Sequence, residues 1–404
     1  DTEKLSPETL IEDIYKKYKI PQSVSIIQGE VDIIGMFPKL SPKMKRIAKE
    51  LYKIPWIEPA SHSFSHPFFW NKVIQPQNAS PKAGKNYHLN IPNYHFSLKQ
   101  ETIGSIEFAL SFAPKYKRDK KILFWSGDCL PPKSVLKYIE KRGILAMNGG
   151  DTTITKENPF KSFIAPFGLQ RDEYWQIYTG EQNENIYTNE WTGPFWGYKY
   201  AIETFQLTET PRRLKPINIY YHLYSGSRLS AIRALDEVYR WAISQETTKL
   251  YASDYIKKVK DFYHTSIAKL NNGDYEIRNS GNLRTLRVDR RVFIDIEDSV
   301  GVGGFRGVKG RTYITLDGKK RYIIRLSDRE PKIPYLIDID GWIEEYSRNR
   351  FKLKSYMPLK ANFYLPNSCS IKTAPKGVKS RVKNSRLEIY SETLRGATIE
   401  FKCK

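Results

Sequence analysis

The chain has 404 residues, 40% of them hydrophobic and 13% aromatic, and its formal charge is +22. That length is enough for two domains with real cores. Three cysteines are too few for a disulfide scaffold, and no apolar run approaches the ~18 residues a membrane helix needs. The cations are spread in short clusters such as Lys115-Tyr116-Lys117-Arg118-Asp119-Lys120-Lys121. Each cluster reads as solvated surface, so no nucleic-acid partner is expected.

In chain order, residues 7–18 read as a helix, with Ser6 as cap and Pro7 at its first position. Val24-Ser25-Ile26-Ile27 reads as a short strand. Ser41 caps a second helix over about 42–52. Ile54-Pro55-Trp56-Ile57 reads as a buried strand, and Ala60-Ser61-His62-Ser63-Phe64-Ser65-His66 follows it. On one helical turn His62 and His66 share a face. Two imidazoles placed so can bind one divalent metal and leave positions open to water and substrate. The bland alternative makes Ser61 and Ser63 helix caps and the histidines polar surface.

Residues 71–95 are rich in Pro, Asn, Gly and Lys and read as a long loop. An amphipathic helix is predicted at 97–112. A strand at 121–125 is followed by Ser126, Gly127, Asp128 and Cys129. A helix at 132–142 and a strand at 143–147 come next, then Asn148, Gly149, Gly150 and Asp151. Residues 163–205 are irregular and aromatic. A strand at 217–221 leads to His222, and helices are predicted at 229–244 and 253–270.

From there the texture changes. Short β-branched and aromatic runs at 275–278, 283–288, 311–316, 321–326, 333–337, 387–390 and 397–401 are broken by Gly, Pro, Asn and Asp. Their spacing predicts an antiparallel β-sandwich-like domain over 272–404, after an α/β domain over 1–271. Cys369 and Cys403 can pair there, which would contribute ~3–4 kcal/mol by loop closure. Cys129 would stay alone.

Four predicted strands end in polar residues: His62, Ser126 with Asp128, Asn148 with Asp151, and His222. Parallel strands wrapped by helices gather functional groups at that end. Asp128 or Asp151 taken singly reads first as a turn or helix cap. A metal at His62 and His66 takes a third ligand, commonly a carboxylate. His222 is placed to protonate a leaving group. Trp125, Trp196 and Tyr221 stand among the expected rim aromatics, with Trp70, Tyr187, Trp191, Phe195, Tyr198 and Tyr224, where sugar faces stack. The residues alone point to a metal-dependent hydrolase of a polar polymer.

The run His62-Ser63-Phe64-Ser65-His66 resembles the His-Ser/Thr-x-x-His motif of polysaccharide deacetylases, the carbohydrate esterase family 4 group with the NodB-type domain. Segments 60–68, 123–129, 147–152, 183–195 and 211–226 are similar to the deacetylase region of proteins that modify Pel-type exopolysaccharide, a likeness running from about 20 to 270. The resemblance implies a distorted (β/α) barrel that removes N-acetyl groups from an N-acetylhexosamine polymer during biofilm matrix production. It implies a divalent metal, Zn first and Co or Ni also suited, held by His62 and His66. His222 would be the general acid, and Asp128 and Asp151 substrate contacts. A periplasmic location and a tetratricopeptide-repeat export partner follow from the same resemblance. The family's first motif, which supplies a metal-binding Asp, has no match at Asp1, Asp13 or Asp32, so the third ligand is expected upstream of Asp1. The rival expectation is an inactive deacetylase-like module that binds polysaccharide.

Overall fold

The computed structural model describes residues 4–75, 87–210 and 212–404. Asp1, Pro211 and part of the predicted 71–95 loop lie outside the described residues. The fold is mixed α/β, with one mainly parallel sheet and several antiparallel ones. It divides into two compact units: Asp1–Glu246 with Tyr251–Ile256, and Thr247–Leu250 with Lys257–Lys404. The division falls inside the helix Ala252–His264, upstream of the expected boundary at 271. A carboxylate accounts for the earlier point. Asp261 accepts backbone hydrogen bonds from Ser280, Asn282 and Leu283 at 2.7, 2.6 and 2.9 Å, which ties the second half of that helix to the β-rich chain after it.

The first unit is built on six strands: β1 Gln22–Ile26, β2 Ile57–Ser61, β3 Ile122–Phe124, β4 Leu145–Met147, β5 Gly168–Arg171 and β6 Tyr174–Ile177. Their order is β1-β2-β3-β4-β6-β5. Every neighbouring pair is parallel except the β5–β6 hairpin. All five residues of β2 are buried, as expected of a parallel strand covered on both faces. The helices Ser41–Lys53 and Lys133–Glu140 carry the chain from β1 to β2 and from β3 to β4. A wide turn at Gln100–Gly104 running into the helix Ser105–Ser111 lies between β2 and β3. Two apolar clusters form the cores, one around Ile14, Leu51, Tyr52 and Val238, the other around Trp70, Leu123, Trp125 and Val135.

Two predicted strands differ in a way that matters for the site. The strand expected at 54–57 lies at 57–61, because Ile54 closes the preceding helix and accepts the Ile57 N–H in a turn. His62 is therefore the first residue past a strand end. The strand expected at 217–221 joins no sheet. Side chains satisfy this stretch instead: the Tyr220 N–H donates to the Tyr198 hydroxyl at 2.7 Å, and Asn218 Oδ1 accepts from the Gly180 N–H at 3.0 Å.

The second unit has sheets of seven, four, three and two strands. Their pairings are antiparallel except where Gly304 meets Leu336. Cys369 and Cys403 stand opposite each other in the register of Cys369–Thr373 against Gly396–Cys403 and form a disulfide. Cys129 is free. The predicted helical stretch 253–270 ends at His264, and Ser266–Lys269 is a strand. Among the described residues no helix is long and apolar enough to cross a membrane.

Candidate functional site

The C-terminal ends of β1 to β4 and β6 share one edge of the sheet, the edge at which open α/β sheets take ligands. At β2 the His62 N–H continues the ladder to the Ile26 carbonyl at 2.9 Å. Its Nδ1 lies 3.0 Å from the Phe124 carbonyl at the end of β3. A carbonyl only accepts, so this contact assigns the ring hydrogen to Nδ1 and leaves the Nε2 lone pair open.

His62 and His66 do not lie on a helical turn, as their spacing suggested. Residues 62–69 are irregular, and Ser63 (φ 70°) and His66 (φ 51°) take left-handed conformations. The fold of the loop still brings the two rings together, with centroids 4.9 Å apart and planes at 63°. His66 Nδ1 is buried with no hydrogen-bond partner among the described residues.

Glu101 holds this loop, and nothing in the sequence marked it. Its side chain is fully buried. The Phe64 and Ser65 N–H groups both donate to Oε2 at 2.9 Å, while the Ser65 hydroxyl and the Tyr94 hydroxyl donate to Oε1. Four donors offset the cost of a buried carboxylate. Ser61 Oγ accepts from the Ser63 N–H at 3.0 Å, and Ser63 Oγ accepts from the His66 N–H at 3.1 Å. The two serines thus brace the loop rather than cap a helix.

His222 comes in on the segment without a sheet partner, which Asn148 at the end of β4 touches through Nδ2 to the Tyr220 hydroxyl at 3.1 Å. Glu184, also buried, grips it. The His222 N–H donates to Glu184 Oε1 at 2.8 Å, and Nδ1 lies 3.2 and 3.1 Å from the two carboxylate oxygens. The carboxylate assigns a hydrogen to Nδ1 here as well. Tyr224 stacks on the imidazole at 4.8 Å and 8°, and its hydroxyl donates to Asn185 Oδ1 at 2.6 Å. Trp191 packs 4.8 Å from Tyr224, with Phe195 4.9 Å beyond, so an aromatic wall stands beside His222.

Burial holds His62 well below the usual imidazole range, with repulsion from His66 and then His222 adding to it. Burial, and then the charge of His222, lowers His66 to about 4. At neutral pH His62 and His66 are uncharged and keep lone pairs.

The other expected site residues divide. Asp128 Oδ1 accepts from the Leu130 N–H at 3.0 Å and the Trp70 N–H at 3.3 Å, the turn-and-cap role. Asp151 is exposed and accepts from Gln182 Nε2. Trp125, expected at the substrate, is fully buried, edge-on to Trp70 at 5.0 Å. Tyr221, expected there too, packs against the first core, with its hydroxyl 3.0 Å from that of Tyr239. For Trp125 the reason is that an aromatic next to a strand end fills the core when its side chain points inward, while Tyr221 is half-buried. Trp196 stays 41% exposed, with Lys199 Nζ 4.5 Å from its ring.

Among the described residues no group of three or more His, Cys, Asp or Glu side chains is arranged to hold a metal ion. His62 and His66 suit two ligands of one divalent cation. Both are neutral, one has its Nδ1–H fixed by a carbonyl, and the other has an orphaned buried nitrogen. No family model, curated protein or solved structure matches the chain.

Proposed function

We propose that the first unit is a metal-dependent polysaccharide N-deacetylase of the carbohydrate esterase family 4 type. Its substrate would be an N-acetylhexosamine exopolysaccharide of the Pel kind, and its place the periplasm, beside a tetratricopeptide-repeat export partner. The fold that goes with this reading is a distorted (β/α) barrel, of which the parallel β1-β2-β3-β4 order would be an arc. One observation carries the proposal: the rings of His62 and His66 meet, with centroids 4.9 Å apart, just past the C-terminal end of the parallel strand β2, and the Phe124 carbonyl holds His62 Nδ1.

His62 and His66 would hold a divalent cation, Zn or else Co or Ni, together with a carboxylate. The bound cation supplies polarisation of the acetamide carbonyl and activation of water. Phe124 keeps His62 in the tautomer that leaves Nε2 to the metal. Glu184 keeps the Nδ1 hydrogen of His222, so Nε2 is the atom that gives a proton to the departing amine. The Trp191 and Tyr224 wall offers apolar faces to sugar rings. Products are acetate and an amino sugar unit.

The test is acetate release from partially N-acetylated glucosamine and galactosamine oligomers, with metal content measured alongside. His66→Ala should lower metal occupancy and abolish release. His222→Ala should keep the metal and cut kcat by ~10²–10⁴. No metal and no acetate from the full-length protein would overturn the proposal. The second reading, a non-catalytic module that binds the polymer, draws support from the absence of a three-residue ligand group among the described residues. Oligomer binding without acetate release would favour it.

A further inference from the structure

The second unit carries a surface that the deacetylase reading does not use. At one edge of its seven-stranded sheet lie Lys379–Lys383, Arg386–Tyr390 and Lys360–Tyr364, in that order. The register sets Lys379, Tyr390 and Lys360 in one row. Arg381, Glu388 and Asn362 form the next, and Lys383, Arg386 and Tyr364 the third. Side chains alternate faces along a strand, so these nine share one face. The opposite face belongs to the core: Leu387, Ile389, Ala361 and Phe363 are all fully buried.

The tile holds five cations, Lys379, Arg381, Lys383, Arg386 and Lys360, against one carboxylate, Glu388. All five are exposed. Nearby acids neutralise part of this: Lys379 lies 2.9 Å from Glu392 and Arg386 3.5 Å from Asp338. Among the described residues no ion pair engages Lys360, Arg381 or Lys383. Lys383 stands directly opposite Arg386, a like-charge pairing that costs stability. The edge strand has no buried residue at all. Charges on an edge strand guard it against pairing with other chains, and here they also leave a cationic face open to an anionic ligand.

We propose that this tile binds an extended anionic polysaccharide, a carboxylated polymer laid across the three strands. Charges on one strand repeat about every 6.8 Å, and strands lie about 4.8 Å apart, spacings that a flexible chain of acidic sugars can meet. Nucleic acid fits less well, because stacking of bases needs open rings. Tyr390 has Lys379 Nζ 5.8 Å from its ring, and Tyr364 is stacked on Tyr335 at 4.9 Å. The proposal stands independently of the deacetylase reading.

The test is titration of the full chain with polygalacturonate oligomers, dextran and single-stranded DNA at low and moderate salt. Polygalacturonate should bind, dextran should not, and affinity should fall with salt. The variant K360Q/R381Q/K383Q should bind at least tenfold more weakly with a shallower salt slope. The charge-matched variant K49Q/K53Q/K141Q, altered at exposed lysines of the first unit, should stay within twofold. Arg381→Gln alone, expected to weaken binding about threefold, serves if the triple variant does not fold. Equal losses in both triple variants, no loss in either, or tighter tile-dependent binding of DNA than of polygalacturonate would each overturn the proposal.

Discussion

His66 combines a left-handed backbone with a buried ring nitrogen that has no partner among the described residues. In the metal-stripped chain this has a signed consequence. The folded-state pKa is about 4 against an ordinary value of 6.5. Between those values the unfolded chain binds a proton that the folded chain refuses, so stability rises with pH across that window and levels off above it. His62 contributes with the same sign. Replacing His66 by Asn should flatten the slope, by up to about 3 kcal/mol over the window. Urea unfolding in chelator at pH about 4.5 and about 7 measures it, and identical slopes in the two chains would rule out burial of His66 as the cause. The histidines themselves were legible, because a pair four apart after an apolar run has few readings. Their carboxylate partners were not. Glu184 is 38 residues from His222, and Glu101 is 37 and 36 residues from the loop amides it binds. No local pattern joins residues so far apart.

At the scale of elements, the site depends on a turn fitting against a loop. Gly127, just past β3, has φ +58°, and a Cβ there would lie 2.4 Å from both Phe68 Cα and the Phe68 carbonyl oxygen. The Ser126 hydroxyl donates to the Pro67 carbonyl at 2.8 Å, and the Asp128 N–H to the Phe68 carbonyl at 2.9 Å. Gly127→Ala should therefore push the turn off the histidine loop, at a cost of about 2–4 kcal/mol. Thermal melting should fall by roughly 5–15 °C, and metal affinity should fall with it. Unchanged melting would mean that the two backbones are not packed together. Periodicity located the helix Leu229–Ser244 and the strand Arg311–Leu316 because their apolar spacing is regular. It missed Lys379–Lys383, where every side chain is exposed and no apolar rhythm exists. It also made a strand of 217–221, whose composition suits one although no neighbour pairs with it.

At the scale of the whole molecule, the two units have separate apolar cores. The Cys369–Cys403 disulfide closes a separation of 34 residues within the second. Loop-closure arithmetic gives it about 3–4 kcal/mol. Cys369→Ser with Cys403→Ser should speed amide exchange along Cys369–Thr373 and Gly396–Cys403 and leave the Glu101-bound amides of Phe64 and Ser65 unchanged. Faster exchange at Phe64 and Ser65 as well would contradict a local effect.

Composition and period by themselves determined the α/β-then-β order, the possibility of pairing the two C-terminal cysteines, and the three histidines as the residues to watch. Those are properties of short stretches, or of residue types too scarce to have many roles. Tertiary structure alone decided that His62 and His66 meet through a left-handed loop rather than on a helix. It alone selected Glu101 as the support of their loop and Glu184 as that of His222, and sent Trp125 inward. Which way a side chain points, and which distant carboxylate meets it, depends on how strands and loops pack, and that information lies in contacts between residues far apart in the chain.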